Sequence, residues 1–135
     1  MKTIFYSSII DERSKEICAK LETLGYNISL KLHHSKITLE SKLREPLHGI
    51  ALMILYIYGE SDLLKMIGLQ ELIIGIPLIL IMRDTSGETM KKAHLLRPRF
   101  IFGADENLEH MCLVFEKMLT MQSNYGHKQG GIYAP

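Results

Sequence analysis

Between Ile50 and Ile57 eight apolar residues follow one another without a polar break, and the run stops at Tyr58-Gly59 before the acidic segment ESDLL. A strand with one wet face alternates, so an unbroken apolar run of this length predicts a strand covered on both faces. A second run, IIGIPLILIM (73–82), is too short to cross a membrane, which takes roughly 18 apolar residues. With Pro77 inside it, it predicts a buried strand over 77–82. Short β-rich runs at 3–6 and 100–102 predict two more strands. The stretch 26–32 sets Tyr, Ile and two Leu against Asn, Ser and Lys, the alternation of an edge strand.

Between these runs the period changes to that of helices. Over 11–25, Ile17, Leu21 and Leu24 share a face, Asp11 is placed to cap the start and Gly25 to end the helix. Over 35–47, Leu39, Leu43 and Leu47 recur at spacing four, with Pro46 shortening the last turn. A helix is expected from Ser61 or Asp62 to about Ile74, with Gly68 a weak point inside it. Another covers 86–96, opened by Thr85 or Ser86 with Glu88 near its start. The last, 107–121, carries Leu108, Met111, Cys112, Phe115, Met118 and Leu119 on one stripe. Residues 122–135 are rich in glycine and polar residues and read as a flexible C-terminal tail behind a single domain, 1–121.

Five strands alternating with five helices predict an α/β fold, a doubly wound five-stranded parallel sheet with helices on both faces. The two most apolar strands belong in the centre and the alternating one at an edge, which the order 2-1-3-4-5 satisfies. In that order a crevice opens over the C-terminal ends of the first and third strands, bordered by the fourth.

A chain of 135 residues fits one domain and needs no disulfide or metal staple. A formal net charge of +1 argues against strong nucleic-acid binding and against attraction to acidic membranes. Cys18 and Cys112 are spaced for neither a metal nor a redox pair, so reduced buried thiols in a cytoplasmic protein are expected. The N-terminal stretch turns charged too early for a signal peptide.

The strand ends gather Ser7, Ser8, Tyr58, Gly59, Arg83, Asp84, Thr85 and Gly103. Ser7 and Ser8 with Asp11 suit an anion at a helix start, but helix capping explains them more cheaply. Arg83 suits a phosphate or a partner carboxylate; a solvated loop or an ion pair with Asp84 is the simpler expectation. Neither GxGxxG nor GxxxxGK[ST] occurs. His33 and His34 are neighbours on a strand and point to opposite faces, so they do not share a metal ion; they, His48, His94 and His110 read as surface residues. Core filling explains most of the eight methionines, with an adaptable binding surface, including Met111, Met118 and Met121, as the alternative. Lys91, Lys92, Arg97 and Arg99 form a small basic patch diluted by nearby acids.

Three phrases carry a resemblance. IPLILIM is similar to the fourth strand of the receiver domains of two-component response regulators, which often begins Ile-Pro; SDLLKMIGLQELIIG is similar to the helix before it, and RFIFGADENLEHMCLVFEKML to the short strand and amphipathic helix that end the family. The resemblance covers 2–121 and implies the CheY-like, flavodoxin-like version of the predicted sheet. It also implies a chemistry: an acidic pair after the first strand for Mg²⁺, an aspartate phosphoacceptor ending the third, Thr or Ser ending the fourth, and Lys after the fifth. Those groups cluster oxygens around a divalent ion and balance the phosphoryl charge. In this chain Ser7-Ser8 stand for the acidic pair, Tyr58-Gly59 for the aspartate, Met82 or Arg83 for the Thr/Ser, and Gly103-Ala104 for the Lys. Thr85 is the nearest hydroxyl. Glu60, Asp62 and Asp105 are the nearest acids, the first two read as helix caps.

The expectation is therefore a degenerate receiver, or pseudo-receiver: a non-enzymatic, phosphorylation-independent signalling module with no cofactor. It is expected to act by homodimerisation or protein docking through the face of the 86–96 helix, the fifth strand and the last helix, at Met90, His94, Phe102, Met111, Phe115 and Met118. The alternative is a small-molecule, nucleotide or anion sensor binding over Ser7, Ser8, Tyr58 and Arg83. An enzyme is the weakest reading, for want of a clustered acid–base or nucleophile set.

Overall fold

The structure, a computed structural model, describes residues 2–24, 28–46 and 49–130, with side chains as far as residue 121. Strands β1 (Lys2–Ser7), β2 (Ser29–His33), β3 (Ile50–Ile57), β4 (Leu78–Met82) and β5 (Phe100–Gly103) form one parallel sheet in the order β2-β1-β3-β4-β5. That is the expected order. β3 is buried from Ala51 to Ile57 and β4 throughout, while β2 at the edge is mostly exposed.

Alternate side chains of the central strands feed two cores. On one face Ile4, Met53, Leu55, Ile57 and Leu80 meet Leu39 and Leu43 of α2 (Lys36–Arg44), Leu63 and Met66 of α3 (Glu60–Ile67) and Ile73 of α4 (Gln70–Ile73). Ala93 of α5 (Gly87–Ala93) and Leu96 of the 3₁₀ turn behind it complete that layer. On the other face Phe5, Leu52, Ile54, Ile79 and Ile81 meet Ile17 and Leu21 of α1 (Glu12–Glu22) and Met111, Phe115 and Leu119 of α6 (Leu108–Gly130). Each large apolar side chain so buried contributes about 1.5–3 kcal/mol.

Element ends follow local chemistry. Asp11 caps α1 with a capping box: its carboxylate accepts from Ser14 N at 2.8 Å, and the Ser14 hydroxyl accepts from Asp11 N at 3.0 Å. Ser35 caps α2, which ends at Arg44 because Glu45, ahead of Pro46, is extended. The single helix expected up to Ile74 is two: α3 stops at Ile67, Gly68 and Leu69 break it, and α4 is one turn. Gly75, at φ 99°, then makes a reversal that an L side chain rarely adopts. Likewise the 86–96 helix tightens into 3₁₀ at His94–Leu96 and stops at Arg97, ahead of Pro98. The last helix runs on to Gly130, nine residues past the expected Met121. The expectations for Gly25, the start of the second strand, Leu47 and His48 lie outside the described residues.

His33 and His34 diverge as the strand geometry demands: His33 Nδ1 is 3.2 Å from the Thr38 hydroxyl, and His34 Nδ1 is 2.8 Å from the Ser7 carbonyl. Cys18 and Cys112 are free thiols, half-buried where full burial was expected, because each sits on the flank of its helix's buried stripe. Burial raises both, Cys18 to about 11, so both stay protonated at neutral pH. Among the described residues no helix is long and apolar enough to cross a membrane.

Phe115 lies fully buried between α6 and the sheet. Phe115→Ala is expected to cost about 3–5 kcal/mol in urea unfolding, with the far-ultraviolet circular dichroism of the native state retained.

Candidate functional site

The parallel register brings all the strand ends to one edge. Tyr6 pairs with His33 and with Leu55, Ser7 with Tyr56, Ile57 with Met82, and Met82 with Gly103. The ladder continues one residue further: Arg83 N donates to the Ile57 carbonyl at 2.9 Å and Ala104 N to the Met82 carbonyl at 2.8 Å. Tyr58, Arg83 and Ala104 thus leave the sheet side by side, and the crevice is where the order 2-1-3-4-5 puts it.

Two carboxylates organise it. Asp62, in the first turn of α3, is 7% exposed. Its Oδ1 accepts the Tyr6 hydroxyl at 2.9 Å; its Oδ2 accepts the Ser8 hydroxyl and Tyr58 N, each at 3.1 Å. Burial, and then the hydrogen bond to Asp62 and its charge, push the Tyr6 phenol far above its ordinary range, so it remains a donor. Asp11 is the second hub. Beyond its cap to Ser14, its Oδ2 accepts the Tyr56 hydroxyl at 2.8 Å and Arg83 Nη1 at 3.0 Å. Burial works against its charged form, but the Ser14 backbone N–H, the Tyr56 hydroxyl and Arg83 outweigh it, and Asp11 titrates below its ordinary 3.8. The Arg83 guanidinium also lies 5.3 Å from the centre of the Tyr58 ring, a cation–π contact.

Several expectations change. Arg83 does not pair with Asp84: it reaches Asp11 on a different element, while Asp84 accepts from Ser86 N at 2.9 Å and from the Thr89 hydroxyl at 3.0 Å. The Ser86 N–H leads the bonds that hold Asp84 below its ordinary range. Ser7 and Ser8 do not cap α1, which Asp11 caps: the Ser7 hydroxyl donates to the Ile9 carbonyl and that of Ser8 to Asp62. Glu60 and Asp62 do stand in the first turn of α3, as read, though neither makes a side-chain cap bond; Glu60 also pairs with Lys92 of α5 at 2.9 Å, and the strand ends close over Asp62. Gly59 is the N-cap of α3, and Gly103 N donates to Glu106 Oε2 at 2.6 Å. Thr85 is exposed above Gly103: a Cβ at Gly103 would meet Thr85 at 3.5 Å and Asp105 Oδ1 at 3.2 Å.

The expected interaction face divides. Phe102, Met111, Phe115 and Met118 are buried, because the stripe that made the last helix amphipathic is the stripe that packs on the sheet. Met90 is half-buried and His94 exposed. Leu95 and Phe100 stand exposed at the same edge, and Phe100 stacks on Phe102 at 6.2 Å. His110 meets Phe102 edge-on at 5.8 Å.

Sequence reading missed Tyr6, Tyr56 and Arg13. The two tyrosines sit inside apolar runs and register there as core; a hydroxyl at a strand's C-terminal end was the available signal. Arg13 Nε donates to the Ala104 carbonyl at 2.6 Å and its Nη2 to the Glu106 carbonyl, a tie between α1 and the loop after β5 that 91 residues separate in sequence. Among the described residues no group of three or more His, Cys, Asp and Glu side chains is placed to hold a metal.

No family model matches the sequence, and no curated protein matches it. Solved structures do. A response-regulator receiver domain protein from Methanospirillum hungatei aligns at TM-score 0.69 and 12% identity over 92% of this chain and 97% of its own. A response-regulator receiver protein from Pseudoalteromonas atlantica aligns at TM-score 0.71 and 10% identity over 89% of this chain and 98% of its own. The chain has the receiver fold. At such identities the likeness speaks for architecture, and a signal receiver domain of an HD domain-containing protein from Pseudomonas fluorescens, at TM-score 0.65, 14% identity and 91% and 97% coverage, agrees. The receiver fold accounts for the strand order, the two helical layers and the position of the crevice.

Asp62→Ala removes the acceptor of three donors at once and is expected to cost about 1.5–3 kcal/mol in denaturant unfolding. Tyr6→Phe removes one and should cost about 1 kcal/mol. Asp11, with its pKa lowered on folding, contributes stability that is present above about pH 4 and lost as the pH falls through its folded value. Asp11→Asn should therefore flatten the acid limb of a stability-against-pH profile below about pH 4.

Proposed function

We propose that this chain is a receiver-like signalling module that transfers no phosphoryl group and acts by non-covalent docking. The observation that carries the reading is the closure of the strand-end carboxylates. Asp62 is committed to Tyr6, Ser8 and Tyr58, and Asp11 to Ser14, Tyr56 and Arg83. A divalent ion needs several oxygens free to converge on it, and neither carboxylate leaves a set of that kind. Tyr58-Gly59 directly follow β3, and a phenol there forms no acyl phosphate. The scaffold meanwhile keeps every strand of the receiver fold. A fold retained beside such a site supports binding as its use.

The docking unit is the domain of residues 1–121, in the cytoplasm, and the docking surface is the edge made by α5, β5 and α6. With Phe102, Met111, Phe115 and Met118 serving the core, the side chains it offers are Met90, His94, Leu95 and Phe100. Exposed apolar residues grouped at one edge suit a protein partner or a second copy of the chain.

Incubation with acetyl phosphate and Mg²⁺, read by intact-protein mass spectrometry, is expected to leave the mass unchanged. A phosphoryl adduct on any residue of the strand-end edge would overturn the reading.

A further inference from the structure

Beside the closed carboxylates lies an open cavity of about 500 Å³, lined by Arg13, Arg83, Thr85, Ala104 and Asp105. Its walls come from the first turn of α1, the loop after β4 and the loop after β5. Both arginines are braced before any ligand arrives. Arg13 is held by the Ala104 and Glu106 carbonyls, which fix a guanidinium without cancelling its charge. Exposed Glu16 approaches it only to 3.8 Å. Arg83 is held by Asp11 at 3.0 Å and by the face of Tyr58. Asp11 divides its charge among Arg83, Tyr56 and the Ser14 amide. The lining therefore sets two positioned cations and the exposed Thr85 hydroxyl against one carboxylate, Asp105. Gly103 leaves room beneath Thr85 and Asp105 that a Cβ would take.

We propose that this cavity binds a small molecule bearing a phosphate group, held by Arg13 and Arg83 with Thr85 as a further donor. Planar forks of N–H donors match the terminal oxygens of a phosphate, and a polar wall of this kind repels an apolar ligand. The volume lies within the roughly 300–1,000 Å³ of small-molecule sites, with room for more than the phosphate alone. No bond to the protein forms or breaks. Of its lining residues, Arg83, Thr85, Ala104 and Asp105 were singled out in the sequence, and Arg13 was not. It extends the docking reading by an input, and that reading stands whether or not the ligand binds.

Adenosine monophosphate and inorganic phosphate, titrated into the isotopically labelled full chain at ionic strength held constant with chloride, test it by nuclear magnetic resonance. The expected result is saturable shifts at the amides of Thr85, Ala104 and Asp105 and at the Nε of Arg13 and Arg83. Arg83→Gln should weaken binding by about tenfold, the loss of one charge-assisted contact, with melting temperature checking that the variant folds. Because Arg13→Gln also cuts two bonds to backbone, Thr85→Val gives a second, milder variant with its arginines intact, and it should weaken binding less than Arg83→Gln does. No saturable shift by roughly 10 mM of either probe, shifts scattered over surface lysines, or undiminished binding by Arg83→Gln would overturn the proposal.

Discussion

Water is excluded from both faces of β3 and β4, and the rest of the molecule is arranged around that exclusion. From Ala51 to Ile57 and from Leu78 to Met82 every residue is buried, so every peptide group there must find its partner in a neighbouring strand and every side chain a helix above or below. Parallel neighbours satisfy the backbone, and parallel pairing requires a crossover over one face or the other each time the chain returns. The helical layers follow, with α1 and α6 on one side and α2 to α5 on the other. So does the convergence of five C-terminal strand ends on one edge, where loops from distant parts of the chain meet.

At that edge the apolar sheet has to become polar within a residue or two. Tyr6 and Tyr56 make the transition. Their rings are fully buried and their hydroxyls reach the rim, where each ends on a carboxylate. Asp62 then fastens the end of β1, the loop after it and the end of β3 to the start of α3. Asp11 fastens the start of α1 to β3 and, through Arg83, to the loop after β4. A buried polar network of this kind is costly when incomplete and rigid when satisfied. Here it spends the acidic groups nearest the crevice on structure and leaves the positive charge of Arg13 and Arg83 facing the adjoining cavity.

The elements most readable from sequence were those with the most extreme patterns. The eight-residue run of β3 was placed to the residue, and the alternating strand went to the edge, since both follow from whether one face or two meet water. Boundaries governed by a single weak signal went astray: Gly68 broke a helix that periodicity carried through, and α6 continued where composition predicted a stop. At the site, Ser7, Ser8, Tyr58, Gly59, Arg83, Thr85 and Gly103 do stand at the strand ends, but their partners were not legible. For Arg83 the simpler expectation was a solvated loop or an ion pair with its neighbour Asp84, and it bonds to Asp11, 72 residues away.

The sequence by itself determined the class of fold, the strand order and the edge of the sheet where the loops gather, because burial imposes a period on the chain and period survives in one dimension. Only the tertiary structure decided which carboxylate each tyrosine holds, that the methionine and phenylalanine stripe of α6 faces the sheet, and that Arg13 meets the loop after β5. Hydrogen bonds and ion pairs reach a few ångströms in space between residues any distance apart in sequence, and nothing in the order of residues records which side chains close that gap.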